Sequence, residues 1–186
     1  HRLDRPVSGI VVFAKHERAT KRLSQQFQGR LVSKRYWACV EGIVEPGTGE
    51  WIDYMRKLPG KAEAEIVPED HPQARRAILR YEVIFQEAQR SWLEIELETG
   101  RTHQIRLQAT SRNHAVWGDL QYGSSEGFGA DFENERTRSI ALHARQLSFS
   151  HPMTREPRTA IAPLPVLWKS AGLLPPAHPW LAAIPG

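Results

Sequence analysis

Residues 92–106 read Trp92-Leu93-Glu94-Ile95-Glu96-Leu97-Glu98 and then Thr99-Gly100-Arg101-Thr102-His103-Gln104-Ile105-Arg106, and this stretch decides the fold. Leu93, Ile95 and Leu97 alternate with Glu94, Glu96 and Glu98, which gives a half-buried strand one apolar and one acidic face. Gly100 turns the chain, Thr102 stands where a helix N-cap belongs, and a helix is expected to about Arg112, with Asn113 as its stop. Arg106 then falls in the helix's first turn, where the macrodipole disfavours a cation by about 0.3–1 kcal/mol. Local structure gives no reason for an arginine there.

Working outward, Tyr81–Phe85 supplies the other arm of a hairpin with the strand just described. Arg35–Glu41 suits a strand ended by Gly42, with Tyr36, Ala38 and Val40 on one face and Trp37 on the other. Residues 17–28 read as a helix carrying Ala19, Leu23 and Phe27 on one side, with Gly29 as a stop. The apolar run Ile10–Ala14 reads as a buried strand. Residues 45–77 hold Gly and Pro clusters with little periodicity, so loops and short extended pieces are expected there. Residues 118–138 read as a Gly-rich loop, Ser139–Phe149 as a strand, and Pro152 as the turn after it. The proline-rich tail from Pro157 is expected to be irregular apart from a short helix near Leu167–Ala171. The order β-α-β, hairpin, helix, strand points to an α+β domain with a mixed, largely antiparallel sheet and flanking helices.

The 186 residues fit one domain with a sizeable core. A net charge of +4 permits a phosphate-bearing partner without demanding one. Cys39 is the single cysteine, so no disulfide forms within the chain and a reducing compartment, the cytoplasm, is expected. No apolar run approaches the roughly 20 residues of a membrane span, and no signal peptide is expected. The chain opens on His1 without an initiator Met and reads as part of a longer protein cut at its amino end.

The second informative stretch is His1-Arg2-Leu3-Asp4 running into Ser8-Gly9. It sets an acidic residue in a polar loop just before an apolar run. An acidic loop residue and a misplaced arginine are what a site built around one ionised carboxylate would need. These two stretches together resemble the signature of the RluA-type pseudouridine synthases, which isomerise uridine in RNA. Lys34-Arg35-Tyr36-Trp37-Ala38, Ala141-Leu142-His143-Ala144 and Gly118-Asp119-Leu120-Gln121-Tyr122 resemble further segments of that family.

The resemblance implies the pseudouridine synthase catalytic fold and a set of roles. Asp4 is the expected nucleophile, a carboxylate able to attack, stay ionised at neutral pH and depart again. Arg106 is its expected partner, since arginine keeps its proton and offers a planar fork. Tyr36 would lie against the target base and is a candidate for late proton abstraction. Arg2 would fill the gap left when the uridine leaves its stack. Leu142, Arg101 and His103 would line the substrate pocket, with His103 and His143 as supporting groups rather than acid–base catalysts. Lys21, Arg22, Arg30, Lys34 and Arg35, with Arg101 and Arg112, are candidate phosphate contacts, although each alone is more often a solvated charge. The expected partner is structured RNA, either rRNA or tRNA, met by a monomer. No metal or organic cofactor is expected for a redox-neutral isomerisation.

Other chemistries fit less well. Gly123-Ser124-Ser125-Glu126-Gly127 matches a nucleophile-elbow pattern but lies inside a Gly-rich loop. The first tetrapeptide is similar to a kinase catalytic loop, yet no Gly-rich phosphate loop accompanies it. No zinc spacing and no dinucleotide fingerprint occur. The rival from another class is an RNA-binding module that kept the fold and lost catalysis. Two features depart from the family, Val7 where Thr is usual before Ser-Gly and a long polar loop over residues 124–138; the segment that supplies a sheet strand before this motif in relatives is expected in the longer protein ahead of His1.

Overall fold

The computed structural model describes residues 1–129, 133–134 and 136–173. In chain order the elements are β1 (Ser8–Gly9), α1 (Glu17–Gln28), β2 (Ser33–Glu41), β3 (Thr48–Lys57), β4 (Ala64–Ile66), β5 (Arg75–Glu87) and β6 (Arg90–Leu97). They continue with α2 (Gln104–Thr110), a 3-10 turn (Leu120–Tyr122), β7 (Leu142–Ser150), β8 (Pro157–Ile161) and α3 (Val166–Ser170). The strands form one sheet in the order β1-β7-β2-β6-β5-β3-β4, with β8 also paired to β7. Among the described residues only the short β1–β7 contact is parallel. The mixed, largely antiparallel α+β architecture is therefore the one expected.

Side-chain alternation in the central strands creates two cores. On one face Ala38 and Val40 of β2, Leu93, Ile95 and Leu97 of β6, and Leu79 and Tyr81 of β5 pack with Ile105 and Ala109 of α2. Tyr36 sits at the border of that cluster. The opposite face buries Trp37, Cys39 and Trp92 against Trp117, Phe128 and Trp168 of α3. Glu94 projects into the second face but is not simply solvated: it accepts hydrogen bonds from Trp37 Nε1 and Arg35 Nη1, each at 3.1 Å.

Four local expectations need correction. The strand expected over Ile10–Ala14 does not form; pairing covers Ser8 and Gly9, and Ile10 N gives one further bond to Ala144 O. Beyond that point β8 occupies the outer edge of β7, so the chain has no edge left to pair with. Gly9 makes the close approach possible, because a Cβ there would lie 2.3 Å from Ala144 O. The second correction is β3, β4 and the start of β5, an ordered part of the sheet where loops and short extended pieces were expected over residues 45–77. The alternation Trp51, Asp53, Met55 was masked by its central acid, and the half-buried Asp53 accepts from Gln108 Nε2 and Arg112 Nη1. Third, Thr102 is not the cap of α2. His103 occupies that position at φ 54°, ψ 28°, with no capping bond, while the buried Gln104 side chain accepts from Arg101 N and Thr99 Oγ1. Fourth, β8 forms within the tail expected to be irregular, and α3 starts one residue before the expected short helix. The tail from residue 174 on lies outside the described residues. No helix among those described is long and apolar enough to cross a membrane.

Burial gives the fold a pH signature. The Cys39 thiol is pushed up from 9.0 to about 12, first by burial, and the Tyr36 phenol from 10.0 to about 12, by burial and then by Asp4. Both folded values exceed the unfolded ones, so this stabilisation is complete below about pH 9 and is lost as pH rises toward 12. The melting temperature should therefore begin to fall above about pH 9. In Cys39→Ala the fall should begin later, near the unfolded tyrosine value of 10.0. A Cys39→Ala curve parallel to that of the parent throughout would contradict the assignment.

Candidate active site

The loop ahead of β1 is pinned at several points, which leaves Asp4 projecting from a firm base. His1 stacks on Phe27 at 4.8 Å, Leu3 packs against the first core and Val7 is buried in it. Val7 N donates to Asp4 O at 3.0 Å, and Ile140 N donates to Pro6 O. Ser8 Oγ hydrogen-bonds His143 Nδ1 at 2.8 Å, so His143, itself buried, serves the loop's anchorage.

Arg106 is 3% exposed and Asp4 25% at their side chains, and Asp4 Oδ2 lies 4.0 Å from Arg106 Nη1. His103 Nε2 is 3.7 Å from the same oxygen. Both separations are within coulombic reach yet too long for hydrogen bonds. Burial pushes the pKa of His103 below its ordinary value, opposed in part by Asp4, which favours a neutral imidazole. Its Nδ1 is engaged by Tyr122 Oη at 2.6 Å. The left-handed backbone at His103 turns the imidazole toward the acid.

The firm partner of Arg106 is a residue the sequence reasoning passed over. Arg106 Nε donates to Asp119 Oδ2 at 2.5 Å, and Nη2 to Asp119 Oδ1 at 2.7 Å and to Gln121 Oε1 at 2.9 Å. The Tyr122 ring lies 4.6 Å from the guanidinium carbon. Asp119, Gln121 and Tyr122 belong to one turn, and that turn is tightly seated. Gly118, at φ 87°, could carry no side chain, because its Cβ would come within 2.3 Å of Phe128 Cβ. The available signal was the burial an arginine in a helix's first turn implies: such a cation needs a full counter-ion, and a loop aspartate open to substrate is a poor one.

A cavity of about 280 Å³ opens over this cluster. It brings together Arg2, Asp4, Lys34, Tyr36, Arg101, His103, Arg106 and Leu142. Arg2 Nη2 reaches Thr102 Oγ1 at 3.5 Å across the mouth. Burial first and like charges second lower the pKa of both Lys34 and Arg101, the charges being Arg30 and Arg101 for Lys34 and Arg30 and Arg75 for Arg101. Five candidates lie outside the cavity lining. Lys21 is exposed on α1, and Arg22 donates to Pro152 O on the turn after β7. Arg30 reaches Glu98 at 3.5 Å. Arg35 points to the opposite face of the sheet and pairs with Glu94, because adjacent strand residues alternate sides. Arg112 is likewise held by Asp53. Among the described residues no group of three or more His, Cys, Asp or Glu could hold a metal ion.

A family model described as RNA pseudouridylate synthase matches residues 1–111. The chain belongs to this family, and to its RluA-type branch. It is 34% identical over 178 residues to ribosomal large subunit pseudouridine synthase D of Neisseria meningitidis, covering 89% of this chain and 44% of that protein. It is 31% identical over 180 residues to tRNA pseudouridine synthase C of Haemophilus influenzae, covering 91% and 74%. The chain spans about half the length of curated relatives such as the Neisseria protein. The fold is similar to that of human RNA pseudouridylate synthase domain containing 4, with a TM-score of 0.74, 21% identity and coverage of 92% of this chain and 72% of that one.

Proposed function

We propose that this chain converts uridine in structured RNA to pseudouridine, with Asp4 as the nucleophile. The observation that carries the reading is one carboxylate, partly exposed in a cavity, faced by a buried arginine and a histidine in a chain of this family. In this reading the bond from uracil N1 to C1′ breaks, a bond from C5 to C1′ forms, and a proton passes from C5 to N1. The change is redox-neutral, and the nucleophile is a side chain.

The cavity suits a single extruded base. Leu142 and Tyr36 give it apolar walls, and the exposed Arg2 in its lining would fill the vacancy left in the RNA. Tyr36 keeps its proton far into the alkaline range, so at neutral pH it acts by packing on the base and is a poor proton acceptor. Lys34 and Arg101, mutually repelling without an anion, are the natural phosphate contacts, and Arg30 adjoins them. Arg22 and Arg35 are engaged with protein groups and are weaker candidates. The matched relatives are named for rRNA and tRNA substrates, and those two classes are the ones to try.

The test is to incubate the chain with rRNA and tRNA transcripts, digest to nucleosides and separate uridine from pseudouridine. Pseudouridine should appear in at least one class. Tight binding with no product on either would favour a module that binds RNA and has lost catalysis.

A further inference from the structure

The buried pair of Arg106 and Asp119 carries an inference that rests on Asp4 being the nucleophile. We propose that Asp119 is a positioning residue of this site: its carboxylate clamps Arg106 through Nε and Nη2, turns Nη1 alone toward Asp4, and balances the guanidinium charge so that Asp4 is steadied without being locked in an ion pair.

The geometry supports each part. Asp119 is 1% exposed and grips one edge of the guanidinium with both oxygens. Gln121 takes a further bond from Nη2, and the Tyr122 ring lies against the guanidinium. Rotation of the fork is thereby blocked, and Nη1 is what remains to face Asp4 at 4.0 Å. The clamp is itself anchored, since Gly118 N donates to Ser124 Oγ and Thr110 Oγ1 donates to Tyr122 O. The same turn holds His103 through Tyr122 Oη, so Arg106 and His103 are both held from behind by Asp119, Gln121 and Tyr122.

Charge balance follows from burial. A guanidinium in a helix's first turn, away from water, demands a counter-ion. Were Asp4 the only one, the two would collapse into a direct pair, and a carboxylate bound that tightly is a poor nucleophile. Asp119 takes up that demand on the side away from the cavity. The charged and titratable groups facing Asp4 are Arg106 and His103 from the segment around α2, Tyr36 and Lys34 from β2, and Arg2 from its own loop. Neutralising Asp119 leaves Arg106 unbalanced and also removes a carboxylate that favours protonated His103, so both effects move the acid limb of activity the same way.

Single-turnover rates on an RNA substrate, followed from acidic to neutral pH, test the proposal. In Asp119→Asn the rate should fall about a hundredfold, the scale of losing one preorganised electrostatic partner. Its acid limb should move to lower pH by about one unit. RNA affinity should stay within about threefold, since phosphate contacts supply most of it. Asp119→Glu keeps the charge, so its limb should stay in place while the rate drops through the misplaced clamp. Gln121→Ala should cost only a few-fold, with no shift. An unmoved limb in Asp119→Asn, or a rate loss matched by loss of RNA-binding protein, would overturn the proposal. If Asp119→Asn does not fold, a parental rate in Asp119→Glu would overturn it instead. Turnover by Asp4→Asn would overturn the underlying reading, which is a separate result.

Discussion

Asp4→Asn should abolish pseudouridine formation, lowering the single-turnover rate by about 10⁴-fold or more, as loss of a nucleophile does. The amide has nearly the carboxylate's shape, so what is lost is the electron pair that attacks and the charge that steadies it. Folding should be barely affected. The Asp4 side chain is a quarter exposed, and its contacts to Arg106 and His103 at 4.0 and 3.7 Å are not hydrogen bonds. RNA affinity should remain within about threefold, because the cationic rim of Lys34, Arg101 and Arg2 is untouched. Filter binding and thermal melting, run beside the rate measurement, separate these effects.

Arg106→Lys is expected to be the second most damaging change, despite conserving the charge. The guanidinium serves Asp119 along one edge and Asp4 from Nη1 at the same time. An ammonium is a point donor without that fork, and cannot grip both oxygens of Asp119 while standing beside Asp4. The rate should fall about 10²–10³-fold, comparable with removing an oxyanion donor. Unfolding free energy should drop by about 1–3 kcal/mol, because the buried Asp119 is left short of a partner. Urea unfolding checks the second figure. A variant within about threefold of parental activity would show that the planar fork is dispensable.

How far the sequence disclosed this arrangement depends on which physical signal each residue left. The alternation of Leu93, Ile95 and Leu97 with glutamates survived intact because all three of those positions pack into the apolar cluster of that face. Where a polar residue faces inward the pattern broke: Asp53 between Trp51 and Met55 hid β3, since its partners Gln108 and Arg112 come from a distant helix end. Ile10–Ala14 misled in the opposite sense. Its apolar residues suggested a strand, but edge availability on β7 is a tertiary property that no local window contains.

The site shows the same division. Asp4, Tyr36, His103 and Arg106 were marked by motifs, and one cavity gathers them. Asp119 also stood in a noted segment, yet received no role. Its meaning comes from burial, because an arginine 3% exposed beside a carboxylate 1% exposed is a pair whose partners specify one another. The basic candidates illustrate the reverse case. Lys34 and Arg35 are neighbours in sequence, but the pleat sends one to the cavity and the other to Glu94 on the far face.

The most direct measurement is tritium release from RNA labelled at uridine C5, comparing the parent chain with Asp4→Asn under single-turnover conditions. Attachment of C1′ at C5 must expel the proton there, so release reports the chemical step itself and not binding. The parent should free tritium in step with pseudouridine, while Asp4→Asn binds the same RNA and frees none. Release by Asp4→Asn at a rate near the parental one would contradict the account at its centre.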